Sequence, residues 1–198
     1  VWDSESRKHL KYVSYGGKRM NHLAISPNGK LMAQNAPRLF ETENYEKLIQ
    51  MKSPRLSSKG LIFSKDGKLL YGGGFKEIKI YDVAKMEVKE IIPIKSGYVE
   101  EIVPLKDEFI IENQGDILLV DGKTGDKVQE IAEKRVMPKM SPDEKSLILV
   151  DNRQNIIYIH DALTYEVMHE LIGHEDRISS LSFSPDSKIL ASGSFDTR

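Results

Sequence analysis

Residues 173–198, GHEDRISSLSFSPDSKILASGSFDTR, carry the pattern that decides the fold. The run from Ile178 to Phe183 brings an apolar residue at every second or third position, as in a β-strand that buries one face. An SPDS sequence follows at 184–187, where Pro and Asp favour a reversal of the chain. A second apolar run then begins at Ile189. The stretch therefore predicts two antiparallel strands joined by a tight turn.

Two short markers recur along the rest of the chain at a spacing of roughly 40 residues, the length of a four-stranded repeat. One marker ends an apolar run, and its copies are Val1-Trp2-Asp3, Leu39-Phe40-Glu41, Ile80-Tyr81-Asp82, Val120-Asp121 and Ile159-His160-Asp161. The other marker is a turn, with copies at 26–29 (SPNG), 64–67 (SKDG), 105–108 (LKDE), 141–144 (SPDE) and 184–187 (SPDS). Two independent series with one period indicate an internal repeat.

The markers place four strands in each full repeat, and the helix formers at 87–90 and 126–133 are too few for a helix of their own. The predicted strands are 20–25, 30–35, 38–41 and 47–51; 60–63, 69–73, 77–82 and 88–94; 99–105, 109–112, 116–120 and 127–131; and 136–140, 146–150, 155–160 and 166–171. A fifth repeat has its first two strands at the C-terminus. Because no segment shifts in composition, we predict a single domain over residues 1–198.

The order of Gly-His, strand, Ser-Pro-Asp turn, strand and Ser-x-Asp in residues 173–198 closely resembles the first half of a WD repeat. The resemblance implies an all-β fold, a β-propeller of about five four-stranded antiparallel blades. WD-repeat rings commonly have about seven blades, so a fragment of a larger propeller is the alternative. The chain opens on Val1 rather than Met, which agrees with that alternative.

The same resemblance implies a structural network of hydrogen bonds formed by His174, Ser192, Asp196 and Trp2. Trp2 stands near the N-terminus and the other three residues near the C-terminus. If the ring closes, the strands at 1–3 and 9–13 would complete the C-terminal blade, and the protein would be a monomer. Truncation of a longer propeller would leave the network incomplete.

Composition excludes several classes of protein. With 39% hydrophobic and 30% charged residues the chain is typical of a globular protein, and no apolar run approaches the roughly 20 residues of a membrane-spanning helix. A net charge of −1 argues against nucleic-acid binding by bulk attraction. There is no Cys for a disulfide or a thiolate site, and no signal-peptide pattern. We therefore expect a cytoplasmic protein without membrane contact.

No motif in the sequence completes a catalytic or metal site. The Gly122-Lys123-Thr124 string lacks the preceding glycine and the following helix of a phosphate-binding loop, so we interpret it as a hairpin turn. The five histidines show no metal-ligand spacing, and His160 stands at an aromatic position where packing is expected. A Ser-His-Asp set without a GxSxG turn favours a structural role. We expect no enzyme activity and no cofactor.

The loops that share one face of such a propeller are richer in basic than in acidic residues, with roughly twelve Lys or Arg against about seven Asp or Glu. Arginine and aromatic side chains are also enriched at protein interfaces. We therefore predict a partner-binding face, with an acidic or phosphorylated segment as the fitting ligand. Its candidate residues are Arg19, Arg38, Arg55, Phe75, Lys76, Tyr98, Arg135, Arg153 and Arg177.

The function that these features favour is a non-enzymatic scaffold that presents loop faces to protein partners. One alternative is a propeller module of a larger signalling or sensor protein whose activity lies elsewhere. Another is a small-molecule-binding or enzymatic propeller, for which the sequence shows no cluster of inward acidic residues and histidines.

Overall fold

The computed structural model describes Ser6, Lys8 and residues 22–34, 38–43, 47–50, 60–133 and 135–196. Those residues form strands and turns, and they contain no helix that could cross a membrane. The expected N-terminal strands at 1–3 and 9–13, and with them Trp2, lie outside the described residues. The prediction that Trp2 completes the C-terminal blade therefore stays a prediction.

The strands follow the predicted repeat. The two segments with helix-forming residues, 87–90 and 126–133, form no helix and contribute to strands instead. In chain order they are β1 (Leu23–Ile25), β2 (Leu31–Gln34), β3 (Arg38–Glu41), β4 (Lys47–Gln50), β5 (Leu61–Phe63), β6 (Leu69–Asp82), β7 (Glu87–Pro104), β8 (Glu108–Asn113), β9 (Asp116–Asp121), β10 (Lys127–Ala132), β11 (Val136–Met140), β12 (Ser146–Asp151), β13 (Ile156–Asp161), β14 (Val167–Ile172), β15 (Ile178–Phe183) and β16 (Leu190–Ser194).

All strand pairs of the described residues are antiparallel and join neighbours in sequence, as expected when short turns connect them. The first unit is the sheet β1-β2-β3-β4, the fourth is β11-β12-β13-β14, and the fifth contains β15 and β16. The second and third units share one sheet of order β10-β9-β8-β7-β6-β5.

Two long strands explain how the second and third units come to share a sheet. β6 folds back on itself, because Val83 N donates a hydrogen bond of 2.9 Å to Lys68 O and so joins the residues that flank its two ends. It therefore supplies both the second and the third strand that the sequence predicts for its unit. β7 pairs with β6 through its first part and with β8 through its last part. It is the outer strand of one unit and the inner strand of the next.

The core lies between successive units, because the strands of the second, third and fourth units bury apolar side chains on both faces. In β12, Leu147 and Leu149 pack towards the third unit, whereas Ile148 and Val150 pack towards the fifth. Successive side chains of a strand point to opposite faces, so a continuous apolar run fills two interfaces at once. All four of these side chains are fully buried.

The aromatic position of the first marker is buried in every described unit. Its occupants are Phe40, Tyr81, Val120 and His160. The imidazole of His160 is held by a contact of 2.9 Å between Nδ1 and Tyr165 O. The prediction that His160 has a packing role is confirmed.

The second marker forms a hydrogen-bonded turn in the four copies that begin with Ser. In the copy at Ser64, the hydroxyl donates to Asp66 Oδ1 at 2.7 Å, and that carboxylate accepts from Lys68 N at 3.0 Å. The Ser64 hydroxyl also accepts from Leu69 N at 3.0 Å, which begins the next strand. The repeat of this arrangement fixes the connection between the first and second strands of the first, second, fourth and fifth units.

The Gly122-Lys123-Thr124 string is a turn between β9 and β10, as predicted. The carboxylate of Asp121 accepts hydrogen bonds from Lys123 N at 2.8 Å and from Thr124 N at 2.7 Å. Both bonds lower the pKa of Asp121, and the bond from Thr124 has the larger effect. The backbone amides of the turn are thereby committed to its own carboxylate rather than to a phosphate.

Candidate partner-binding face

Antiparallel units place their connections alternately on two sides of the molecule. We call hairpin face the side with the segments before each inner strand and between each second and third strand; its described parts are residues 22, 38, 73–77, 95–98, 113–116, 133 and 135, 151–155, 173–177 and 193–196. We call turn face the opposite side, which carries the serine turns. The described residues of the predicted partner-binding set belong to the hairpin face: Arg38, Phe75, Lys76, Tyr98, Arg135, Arg153 and Arg177.

Phe75 and Tyr98 form an exposed aromatic pair on the hairpin face. They are directly opposite each other in the pairing of β6 with β7, and their ring centroids lie 4.9 Å apart at an interplanar angle of 50°. Phe75 is 55% exposed and Tyr98 is 42% exposed. A tilted pair at this distance is a favourable aromatic geometry, yet most of the Phe75 ring remains open to solvent.

The backbone on both sides of this pair is tightly held. Lys76 has a φ of 57°, a left-handed conformation that costs a residue other than glycine free energy, at the point where β6 reverses. Its Nζ lies 5.6 Å from the centroid of the Phe75 ring. On the other side, Gly97 has no room for a Cβ against the Asn113 side chain, whose Nδ2 donates to Ser96 O at 2.7 Å. The aromatic pair is therefore presented by a fixed backbone.

The described arginines of the predicted set differ in how accessible they are. Arg153 and Arg177 are exposed, whereas Arg38 is partly buried within β3. Arg135 is 21% exposed: its Cζ lies 3.5 Å from the centroid of the Tyr158 ring, and its Nε lies 3.9 Å from Asp151 Oδ2. Its guanidinium is thus engaged within the fold. Arg19 and Arg55 lie outside the described residues.

A cavity of about 360 Å³ opens among the inner strands on this face. It brings together residues far apart in sequence, from the first, third, fourth and fifth units. Its polar lining residues are His22, Glu100, Glu101, Glu112, Asn152, Arg177 and Ser179.

The glutamates of this cavity are functional candidates that the sequence analysis missed. Glu112 accepts a hydrogen bond of 3.0 Å from Met137 N, and Glu101 pairs with Lys139 at 3.7 Å. None of them belongs to the predicted loops, because Glu100 and Glu101 lie in β7 and Glu112 lies in β8. A signal was present in the Glu100-Glu101 pair at the start of a predicted inner strand. The centre of the hairpin face is therefore acidic as well as basic.

His174, Ser192 and Asp196 meet at the edge of the fifth unit. His174 Nδ1 lies 2.6 Å from Asp196 Oδ2, and His174 Nε2 lies 2.8 Å from Ser192 Oγ. Asp196 Oδ2 also accepts from Glu175 N at 3.0 Å. These bonds fasten the segment before β15 to the end of β16. The fourth member of the predicted network, Trp2, lies outside the described residues.

The chemistry of this trio is that of a structural clamp. Ser192 lies inside β16 rather than on a sharp turn, and it does not line the cavity of the hairpin face. A serine nucleophile needs donors placed around a developing oxyanion, which an alternating strand does not provide. Within the described ranges, no group of three or more His, Asp or Glu is placed to hold a metal ion.

The C-terminal part of the chain matches the model of a known protein family. Residues 165–198 match the model of the WD domain, G-beta repeat. This stretch is similar to a WD repeat. It contains β14, β15 and β16 together with the clamp of His174, Ser192 and Asp196, so the resemblance of residues 173–198 to this family is confirmed. No curated protein matches the sequence.

Solved structures extend the likeness beyond the WD repeat to nearly the whole chain. A chain of "Kuenenia stuttgartiensis Hydrazine Synthase" matches with a TM-score of 0.72 and 15% identity over 92% of this chain and 58% of that one. A chain of "Crystal Structure of Mitotic Checkpoint Complex" matches with a TM-score of 0.76 and 16% identity over 98% of this chain and 66% of that one. This chain thus spans less than two thirds of each neighbour. Both are propellers, so the predicted all-β propeller fold is confirmed.

Proposed function

We propose that the protein is a non-enzymatic scaffold that binds partner proteins on its hairpin face. The observation that carries this proposal is the exposed Phe75–Tyr98 pair. Large aromatic side chains dominate the binding free energy of protein interfaces, because they bury much apolar area while losing little rotational freedom. The exposed pair offers a partner a contiguous apolar surface to bury.

The rigid presentation of the pair supports the same proposal. Binding loses less entropy when the contacting loops are already ordered. Both segments that carry the pair are held by β-pairing, and Lys76 and Gly97 adopt conformations that few residues tolerate. A solved structure with a similar fold belongs to the mitotic checkpoint complex, a protein assembly, which agrees with a binding role for this fold.

The partner chemistry that we propose is an acidic or phosphorylated segment next to an apolar anchor. Lys76 lies beside the aromatic pair, and neither Lys76 nor the exposed Arg153 lines the acidic cavity. A negatively charged segment would be repelled by Glu100 and Glu101 at the centre of the face. We therefore place its charged group at Lys76, with the apolar anchor on Phe75.

The experiment is a comparative capture with the double variant Phe75→Ser, Tyr98→Ser. The partners captured by the wild type are identified by mass spectrometry, and we expect the variant to lose them. Val128→Ser is the matched control, because Val128 is also 55% exposed but lies in β10, away from the hairpin face. An identical partner set for both variants and the wild type would overturn the proposal.

A second arm tests the charge of the partner segment. Each captured partner is divided into synthetic peptides, in phosphorylated and unmodified forms, and their dissociation constants are measured. We expect Lys76→Glu to weaken the acidic or phosphorylated peptides by at least tenfold, which corresponds to about 1.4 kcal/mol. Equal binding of these peptides to wild type and Lys76→Glu would show that the segment binds elsewhere.

A further inference from the structure

The turn face contains a second cavity, of about 540 Å³, separate from the proposed partner-binding surface. Its apolar walls come from the ends of three inner strands, in the second, third and fourth units. Phe63, Val103 and Met140 each supply part of the wall, together with Tyr71 from β6. A volume of this size, lined mainly by apolar side chains, is typical of a small-molecule site.

Tyr71 is the unusual residue of this cavity. It is 9% exposed, and its hydroxyl has no hydrogen-bond partner among the described residues. The residue as a whole is buried, but its hydroxyl is not one of the buried polar atoms that lack a partner, so it is open to the cavity. The ring is fixed edge-on against Phe109, with centroids 5.4 Å apart. This packing holds the Tyr71 hydroxyl in one position.

The Tyr71 hydroxyl is protonated and can donate a hydrogen bond. Burial, and secondly the charge of Asp66, raise the pKa of the Tyr71 hydroxyl, which keeps its proton at neutral pH. The Asp66 carboxylate is itself occupied by the Ser64 hydroxyl at 2.7 Å and Lys68 N at 3.0 Å. Tyr71 can thus offer its proton to an acceptor that enters the cavity.

The charged residues that line the cavity carry a net positive charge. Its ionised lining residues are Lys65, Lys106 and Glu144. Lys65 Nζ lies 2.6 Å from Glu144 Oε1, so these two charges compensate each other across units. Lys106 has no ion pair within the described part of the chain. The lining charge that remains is one ammonium group.

We propose that this cavity binds a small apolar molecule that carries one carboxylate. The apolar part would lie against Phe63, Val103 and Met140, and the carboxylate would accept hydrogen bonds from the Tyr71 hydroxyl and the Lys106 ammonium. Charge complementarity selects an anionic head group, because the Lys106 ammonium can only donate and the protonated Tyr71 hydroxyl has a proton to donate. Phosphorylated segments and proteins that bind the hairpin face do not compete for this site.

Octanoate and octanamide are the probes, since they share a chain and differ in the charge of the head group. Dissociation constants are measured by isothermal titration calorimetry on the full chain. We expect octanoate to bind at least tenfold more tightly than octanamide. Lys106→Met should remove that difference, whereas Lys123→Met, a loss of an exposed lysine in the β9–β10 turn, should leave it unchanged.

Two further variants locate the probe. Tyr71→Phe removes only the hydroxyl, so we expect octanoate affinity to fall roughly threefold to tenfold at an unchanged melting temperature. Met140→Trp fills the cavity and should abolish binding of both probes, with folding checked by circular dichroism. Equal affinities for the two probes, no octanoate binding at millimolar concentration, or octanoate binding unaffected by both Lys106→Met and Tyr71→Phe would each overturn the proposal.

Discussion

His174 Nδ1 lies 2.6 Å from Asp196 Oδ2, although 22 positions separate the two residues. The Asp196 side chain is 2% exposed and that of His174 is 18% exposed. Their contact closes the segment before β15 onto the end of β16. Because the fifth unit shows only these two strands among the described residues, side-chain bonds have a larger share in holding it together than in a four-stranded unit.

The first prediction is that His174→Ala destabilises the fifth unit. The variant loses the contacts to Asp196 and Ser192 and leaves a buried carboxylate with fewer donors, which costs about 1–3 kcal/mol. Hydrogen exchange of the amides in β15 should accelerate, and the urea midpoint should fall. His169→Ala, an exposed change in β14, is the control. Unchanged exchange in β15 would show that the clamp does not stabilise this unit.

The second prediction concerns acid sensitivity. Hydrogen bonds from Ser64, Ser141 and Ser184 are the largest causes that lower the pKa values of Asp66, Asp143 and Asp186, respectively. A carboxyl whose pKa is lower in the folded than in the unfolded state stabilises the fold above its unfolded value, ordinarily 3.8, and this stabilisation is lost as the pH falls through the folded value.

The chain itself supplies the substitution that tests this effect. In the first unit Asn28 takes the place of the aspartate and keeps the same bonds, at 2.7 Å from Ser26 Oγ and 3.0 Å from Lys30 N. A triple Asp→Asn variant at 66, 143 and 186 should therefore fold and lose less stability between pH 5 and about pH 2 in urea titrations. Asp107→Asn, in the turn without a serine, is the control. Equal acid losses in the triple variant and the wild type would contradict the prediction.

The sequence predicted the repeat, the turns and the strand order, because these depend on local patterns. Alternation and Ser-x-Asp chemistry act within a few residues, so they can be read without knowing the fold. It did not predict that Glu112 joins Glu100 and Glu101 in one cavity, since their meeting depends on how separate strands converge. Nor did it show that Tyr158 covers Arg135, because an arginine in a loop has the same sequence signature whether it is free or engaged.

The third prediction separates these two roles of arginine. Arg135 stacks on Tyr158 and approaches Asp151, so Arg135→Ala should lower the free energy of unfolding by about 1–2 kcal/mol. Arg153→Ala, an exposed change, should alter it by less than about 0.5 kcal/mol. Chemical denaturation measures both. Equal effects would mean that the Tyr158 contact adds nothing to stability, and Arg135 would then be a candidate for partner contact again.

The last prediction compares two glycines with nearly the same backbone conformation. Gly29 has a φ of 70° and Gly125 a φ of 71°, so alanine at either site costs about 1–2 kcal/mol for the left-handed conformation alone. At Gly29 an added Cβ would meet nothing within 4 Å. At Gly125 it would overlap the carbonyl oxygen of Pro93 in β7, the outer strand of the preceding unit. Gly125→Ala should therefore lower the free energy of unfolding by about 3 kcal/mol or more, clearly beyond the loss in Gly29→Ala.

Urea denaturation of the two variants, with the wild type beside them, gives the comparison. Equal losses would mean that the β9–β10 turn does not pack against β7, because only the shared conformational cost would then remain.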